Sequence, residues 1–572
     1  MLRIIERQQK SSDLIESMLI NRGVNDINLF MNPTNESDTD LHSLPHIYEA
    51  VEMIKKNITK TIMILVDSDA DGNSSAALMY KYLKMVNPNA KLLYYIHPCK
   101  THGLVPDVMK YVLEKRPDML IVPDAGTNDI EERELLQSEG IDLLIIDHHN
   151  EDRYTDKGGI LINNHANFPK NNINKNLTGS GMTFTVCKAF DKFAFHTNRV
   201  EELKDLAMIG AIGDGAGLIE NETRNFCLSA INNIKSKLIQ AVMKFNNQTQ
   251  EEMTFTDMQF GGVVPLINAV VRVGTFEERE LMFKALADIE PDYFEIVTKR
   301  KLNKEIRKYE QVEFKYDIYQ LAVEAAKKCK DRQAKLIDIE MKVADKQFNP
   351  ETGIQIYILQ SEECRGLTGL LANKLASHWQ QPTIVVWEVN GDYSGSLRGR
   401  EKVISNFKEW CTNTKLFKLV QGHDNAAGVI FDKNNLDKIV EAAKNIESKE
   451  YKIEVDKIYN RAALVQDVYY VSSKLKMFNG VQPPIFAVTN FEVNEMNAKW
   501  SKNTLRVNVG GVTYIKFKTL EQEYQDLLGQ TIDIVGEFSL NKWNGRTFPQ
   551  FVIKEYDVSN TQKESIDFGI FA

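Results

Sequence analysis

Three aspartates spaced two residues apart, Asp67, Asp69 and Asp71, follow directly on the apolar run 61–66, and Asp147-His148-His149 follows a second run, 141–146. Two further acids have comparable settings. Asp124 comes after 119–122 and before Ala125-Gly126, and Asp214 comes after 206–212 between Gly213 and Gly215. Small neighbours let backbone approach a ligand closely. Two histidines and several carboxylates, with no cysteine among them, form an oxygen-rich donor set with imidazole. Such a set suits Mn²⁺ or Mg²⁺ better than a thiolate-loving metal. A pair of these ions can activate a water and steady the leaving oxygen in phosphoester hydrolysis. In Asp-His-His, one imidazole can bind metal and the other can approach a substrate phosphate, while the carboxylate orients a ring from behind.

Each group also has a plainer reading. Asp67-Ser-Asp-Ala-Asp-Gly72 matches the opening of a calcium loop, but Leu78 stands where that loop needs a bidentate glutamate, and a strand precedes it instead of a helix. The triplet can equally be an acidic turn that caps the helix starting near Ser74. Taken singly, Asp124 and Asp214 can be helix caps.

The elements that must position these residues follow from the pattern around them. From 46 to 290, short apolar runs (61–66, 91–96, 119–122, 141–146) alternate with helical stretches (48–56, 74–85, 107–114, 130–138). This predicts α/β architecture, with buried parallel strands covered by helices on both faces. In such a sheet, ligands bind beyond the carboxyl ends of the strands, where the acids and histidines lie. Residues 1–45 read as an N-terminal segment, helical and then irregular. Residues 291–335 are rich in Lys, Glu, Arg and Gln and read as a long solvated connecting helix. A second α/β domain is expected over 336–450, with strands 355–359 and 383–387 and helices 369–377 and 435–446. Over 455–558, β-rich runs such as 504–509, 513–517 and 531–535, separated by Gly-containing turns, predict a small OB-like β-barrel. A tail, 559–572, closes the chain.

Composition sets the remaining bounds. The chain has 572 residues, 43% of them hydrophobic and 26% charged, with a net charge of −9. That length implies several domains and that balance a globular protein. No run approaches a membrane span, and the first residues lack a signal-peptide core. The six scattered cysteines contain no Cys-x-x-Cys pair and are expected to be reduced thiols in a cytoplasmic protein. The acidic balance does not exclude nucleic acid, because a basic groove can sit on an acidic body.

At the residues above the chain resembles the DHH phosphoesterase family. Asp67-Ser-Asp-Ala-Asp-Gly72, Pro123-Asp-Ala-Gly126, Asp147-His-His149 and Gly213-Asp214 match four of its motifs in order. Residues 365–376 and Gly422-His-Asp-Asn-Ala-Ala-Gly428 resemble its DHH-associated domain. Within the family the likeness is to the RecJ-like exonucleases, through 21–24, 177–181, 265–272 and 543–551. The resemblance implies a metal-dependent, single-strand-specific 5′→3′ exonuclease, of bacterial or phage origin, releasing mononucleotides in repair, recombination or replication. By the same resemblance, Asp67 and Asp69 hold one ion and Asp71, His148 and Asp214 a second, with Asp124 bridging. Asp147 orients from behind and His149 meets the scissile phosphate. Arg272, Ser396, Arg398, Gly422 and His423 bind substrate phosphates, and arginine suits that task through its planar fork.

Three stretches depart from the family pattern, all at substrate contacts. Gln421-Gly-His423 replaces Gly-Gly-His, 265–272 lacks an arginine and a glycine, and His97-Pro-Cys-Lys-Thr-His-Gly-Leu104 stands where the family has Arg and Glu-Gly-Tyr-Gly-Leu. On the barrel, Trp500, Tyr514, Lys516, Phe517, Lys542, Trp543, Arg546 and Phe548 are candidates for gripping a single strand, with about half of the aromatics expected in the core. Trp543 and Arg546 are favoured because a Trp-Asn-Gly-Arg turn is expected to be exposed. The apolar end 565–572 is a frayed terminus or a peptide that docks on a sliding clamp or other replication partner; a single-strand-binding protein is a further partner implied by the family. The rival readings are a DHH enzyme for short oligonucleotides or cyclic dinucleotides, disfavoured by the barrel, and an inactive replication scaffold, disfavoured by the full set of acids.

Overall fold

The computed structural model describes residues 2–35, 38–150, 157–165, 173–303, 308–444, 446, 451–543 and 545–557. The chain forms two compact units, one of residues 32–399 and 406–445, the other of 1–31, 400–405 and 446–572.

The first unit begins with a five-stranded parallel sheet. Its spatial order is Lys91–Ile96, Thr61–Val66, Met119–Pro123, Asp142–Asp147, Ile160–Asn163. The continuous apolar runs have a direct cause, because both faces are covered. Ile62, Ile64 and Val66 enter one core while Met63 and Leu65 enter the other. From Thr61–Val66 the chain moves outward to Lys91–Ile96, then crosses back to Met119–Pro123. The order therefore reverses between the strands that end at Asp67 and Asp124, which is where α/β sheets open a crevice.

After Leu286 the structure differs from the expected connecting helix over 291–335. Phe294–Asn303 and Lys308–Asp317 form an antiparallel hairpin, and the helix runs from Ile318 to Ala344. Dense charge hid the alternation of Phe294, Ile296 and Thr298, a period of two that suits a strand. Asp317 then starts the helix with a capping box, accepting from Gln320 N at 2.8 Å. Beyond it a mixed five-stranded sheet runs in the order Leu419–His423, Ala426–Asp432, Asp392–Arg398, Thr383–Val389, Gln355–Ile358. Helix Thr368–Trp379 packs Leu371, Ala372 and Leu375 with Val385 and Tyr357 of that sheet.

The second unit holds a seven-stranded, largely antiparallel sheet over 457–557, the OB-like element expected from sequence. Its core joins Phe486, Phe491, Tyr514, Phe538 and Phe551. The first 31 residues belong here and do not form a segment with 32–45. Leu2–Glu6 pairs in parallel with Tyr451–Val455, and helix Leu14–Asn21 buries Ile15, Met18 and Leu19 in the same core. A pairing between the two ends of a chain leaves no local signature. The tail 559–572, including 565–572, lies outside the described residues. Among the described residues no helix is long and apolar enough to cross a membrane.

Candidate functional site

The aspartate triplet splits into three different environments. Asp67 ends its strand, almost fully buried, where Gly72 presses so close that a Cβ there would stand 2.5 Å from the Asp67 Cβ. Asp69 is the N-cap of helix Ala70–Val86, accepting from Gly72 N at 2.9 Å, so the capping reading holds for this residue. Asp71 accepts from Thr178 Oγ1 (3.0 Å), Gly179 N (2.7 Å) and Ser180 N (2.9 Å), at the start of helix Gly179–Phe190. Its oxygens are already committed to three donors, which fixes that helix against the first.

Asp124 occupies the left-handed backbone region, φ 66°, directly after its strand. A non-glycine residue held there costs about 1–3 kcal/mol, and such strain clusters at functional sites. Its Oδ1 is buried without a hydrogen bond, 3.2 Å from His148 Nε2. A Cβ on Gly179 would overlap this carboxylate. His148 Nε2 also faces Asp71 Oδ2 at 3.7 Å and Asp214 Oδ2 at 3.9 Å, so one ring nitrogen points into three carboxylates. Asp214 closes helix Lys204–Gly213 and is half-exposed.

Asp147 is buried and accepts from Thr127 N (3.0 Å), His148 N (2.8 Å) and His149 Nδ1 (2.8 Å). It therefore orients the His149 ring, whose other nitrogen is left for a ligand. Its hydrogen bond with Asp147 lifts the His149 pKa to about 9, so this imidazole is charged at neutral pH. In return, and against its burial, Asp147 is held well below the usual carboxylate range by His149.

Asp67 is compensated too: against its burial, His102 and His97 hold it at about 2. Asp124, Asp69 and Asp214 are not. Burial, then the charges of Asp71, Asp69 and Asp67, push Asp124 well above its ordinary value. Burial and Asp67 raise Asp69, and burial and Asp71 raise Asp214 to about 6. The cluster is short of positive charge. Among the described residues two sets of ligand atoms lie within 4.8 Å of one another, Asp124 with His148 and His149, and Asp67 with Asp69 and His102. Oxygen and imidazole donors, an orphaned carboxylate oxygen and glycines that clear space beside it fit hard divalent cations.

His102 was missed from sequence. It lies in a stretch that departs from the family pattern at substrate contacts, yet the fold carries it to Asp67, with Nδ1 2.5 Å from Asp67 Oδ2. Lys100 of the same loop lies near Asp69, Arg272 and Arg398, and its pKa is lowered by burial and then by Arg272. Burial likewise lowers Arg272 and Arg398. Arg398 shares a nook with Ser396, whose Oγ is 3.0 Å from Thr368 Oγ1 at the start of helix Thr368–Trp379. A Cβ on Gly369 would lie 3.1 Å from Arg398 Nη2 and 3.5 Å from Ser396 Oγ. A helix N-terminus beside two arginines and a lysine suits a phosphate. Gly422 and His423 form the exposed end of an edge strand, and Lys408 Nζ donates to Gly422 O at 2.8 Å.

In the second unit, Trp543 and Arg546 face each other across the hairpin end, with Trp543 67% exposed. Phe517 and Phe548 are also exposed, whereas Tyr514 is core and donates no base-stacking face. Trp500 is half-buried and donates Nε1–H to Thr519 O at 2.9 Å. Lys516 is paired with Glu523 at 2.8 Å, while Lys542 is exposed.

Residues 61–211 match the family described as "DHH family, N-terminal domain", and residues 463–555 match "RecJ OB domain". The chain is 29% identical over 597 residues to a Bacillus subtilis protein named "Putative SPbeta prophage-derived single-strand DNA-specific exonuclease YorK", covering 99% of this chain and 100% of that one. It is 24% identical over 591 residues to the single-stranded-DNA-specific exonuclease RecJ of Bacillus subtilis, covering 98% of this chain and 70% of that one. The fold is that of Thermus thermophilus RecJ in complex with Mn²⁺, with a TM-score of 0.75 at 18% identity over 97% of this chain and 79% of that one.

Proposed function

We propose that this chain, which joins a DHH-family N-terminal domain to a RecJ OB domain, is a divalent-metal-dependent exonuclease that hydrolyses single-stranded DNA from the 5′ end to mononucleotides. The observation that carries this reading is the convergence at one sheet crevice of two carboxylate–imidazole sets, 67/69/102 and 124/148/149, beside the cations Lys100, Arg272 and Arg398. The names of its relatives, single-strand-DNA-specific exonucleases, supply the substrate. The wider role is DNA repair, recombination or replication, in the cytoplasm of a bacterium or of a phage-infected cell.

Asp67 and Asp69 would hold one Mn²⁺ or Mg²⁺, His148 and Asp214 a second, with Asp124 between them. Asp71, anchored by 178–180, would join the second ion through Oδ2, which faces His148 Nε2 at 3.7 Å. The pair of ions would supply a water acidic enough to deprotonate near neutral pH and would neutralise charge on the phosphate. The chain's own groups do the rest. His149, kept protonated by Asp147, places positive charge against a non-bridging phosphate oxygen. Arg272, Arg398, Ser396 and Lys100 hold the neighbouring phosphate and set the strand in register. Gly422 and His423 would extend that grip.

Polarity is the feature to test. The same 5′-phosphorylated oligonucleotide, labelled at one end or the other, is incubated with protein and Mn²⁺. The 5′ label appears at once as a mononucleotide, while the 3′ label shortens progressively. Immediate release of the 3′ label would reverse the polarity, and cleavage confined to two- or three-residue substrates would favour the short-oligonucleotide enzyme instead.

A second prediction concerns the OB domain. Trp543→Ala is expected to weaken single-strand binding roughly 5- to 150-fold, since a stacked base is worth about 1–3 kcal/mol. A mobility-shift titration checks it, and unchanged affinity would remove Trp543 from the DNA path.

A further inference from the structure

We infer that His102 is a metal ligand, completing with Asp67 and Asp69 an imidazole–carboxylate position that selects Mn²⁺ over Mg²⁺. The inference rests on the metal-centre reading above and adds to it a ligand and a preference.

The loop that carries His102 follows strand Lys91–Ile96 and is pinned at several points. Ser68 Oγ donates to Thr101 O, and Gly103 N donates to Asp67 Oδ1 at 3.0 Å. Leu104 N donates to Asp129 Oδ2 at 2.7 Å. Gly103 has φ 74°, and a Cβ there would overlap the Asp129 carboxylate, so the turn beside His102 needs glycine. His102 is therefore placed by the backbone and does not reach Asp67 by a chance swing of its side chain.

At Asp67 the two carboxylate oxygens have different partners. Oδ1 takes Gly103 N. Oδ2 meets His102 Nδ1 at 2.5 Å, and one ligand atom each of Asp67, Asp69 and His102 lie within 4.8 Å of one another. A second, independent observation comes from His97. Its side chain is fully buried, Nδ1 is engaged by Thr101 Oγ1 at 3.0 Å, and Nε2 is aimed at Asp67 Oδ1 from 3.5 Å without a hydrogen bond. A buried ring nitrogen left unpaired costs free energy. Two imidazoles thus converge on the one carboxylate of the triplet that neither caps nor anchors a helix. His102 is half-exposed, on the open side where an ion would also meet substrate. His97 lies behind, on the Oδ1 side of the same carboxylate.

The donor set decides the preference. Mg²⁺ favours oxygen ligands and keeps several waters, whereas imidazole suits later divalent ions better. An Asp–Asp–His position therefore disfavours Mg²⁺ against a first-row divalent ion, and two carboxylates among its donors suit Mn²⁺ of that row. An ordinary Asp67–His102 ion pair would instead require the ring to be displaced before an ion entered, and replacing it would then strengthen metal binding.

The test uses full-length protein stripped of metal and titrated with Mn²⁺, reading free Mn²⁺ by electron paramagnetic resonance. Wild type is expected to bind two ions. His102→Ala is expected to bind one as before and the other at least tenfold more weakly. His102→Asp is expected to regain the second ion, which Mg²⁺ then displaces at a concentration at least tenfold lower than in wild type. Two unchanged ions in His102→Ala, or tighter binding, would overturn the inference and leave the metal centre standing. No Mn²⁺ bound by wild type would overturn both. A spectroscopic readout separates ligation from folding. In His148→Ala, pulsed resonance of bound Mn²⁺ is expected to retain an imidazole nitrogen coupling that disappears when His102→Ala is added. Absence of that coupling already in His148→Ala would count against His102.

Discussion

Asp124→Asn is expected to lower the rate of mononucleotide release by roughly 10³-fold while leaving the metal-free protein as stable as wild type or more so. The loss follows from position. Asp124 belongs to the set with His148 and His149, 3.2 Å from His148 Nε2, and the function proposed above places it between the two ions. A group that holds ions in register supports several kcal/mol of charge stabilisation, and each 1.36 kcal/mol is a factor of ten in rate. The stability half follows from what the residue endures without metal. Its carboxylate is buried, one oxygen has no hydrogen bond, and burial with the surrounding aspartates disfavours its charge. An asparagine there carries no charge for burial and the neighbouring aspartates to oppose. Asparagine is chosen because it tolerates the left-handed backbone at φ 66° better than alanine. Steady-state rates in Mn²⁺ and thermal melts in chelator check the two halves. A variant that hydrolyses DNA at the wild-type rate would remove Asp124 from the centre. A variant that melts far lower would make it a structural residue.

The second large effect lies in the other unit. Asp456→Ala is expected to destabilise that unit by about 3–5 kcal/mol, the usual cost of leaving a buried charge without its partner. Arg22 grips Asp456 in two places, Nη1 to Oδ1 and Nη2 to Oδ2, both at 2.8 Å, with side-chain exposures of 3% and 0%. The same guanidinium donates to Met18 O (2.8 Å) and Pro483 O (2.9 Å), and Asp456 also accepts from Ile485 N (2.8 Å). One ion pair thus fastens the first helix to the start of the C-terminal sheet. Denaturant unfolding and limited proteolysis of residues 1–31 measure the loss. A variant with unchanged midpoint and unchanged cleavage would mean that the apolar contacts of Ile15, Met18 and Leu19 hold the segment alone.

How much of this was legible in the sequence depends on the range of the interactions. Strands buried on both faces announce themselves as unbroken apolar runs, so Thr61–Val66 and the helix Ile130–Ser138 appear where they were expected. The gathering of Asp67, Asp124 and Asp147-His-His149 at the ends of neighbouring strands was legible because residue type and strand ends coincide. The hairpin 294–317 was not, because lysines and glutamates fill both faces of a two-stranded ribbon that buries little. The strand Leu2–Glu6 depends on a partner at the far end of the chain. The anchoring of Asp71 appeared only when the fold brought 178–180 to it. His102 was visible only as an oddity, since nothing local links a loop after one strand to the end of its neighbour.

If these carboxylates and imidazoles serve hydrolysis of a DNA strand through bound divalent ions, activity must follow the metal. The most direct measurement is the release of mononucleotides from a 5′-phosphorylated single strand by metal-stripped protein as Mn²⁺ is added back. The account predicts no release before addition, then a rise that saturates as the ions bind, with duplex DNA of the same sequence left intact. Equal release by the stripped protein, or none at saturating Mn²⁺, would contradict it.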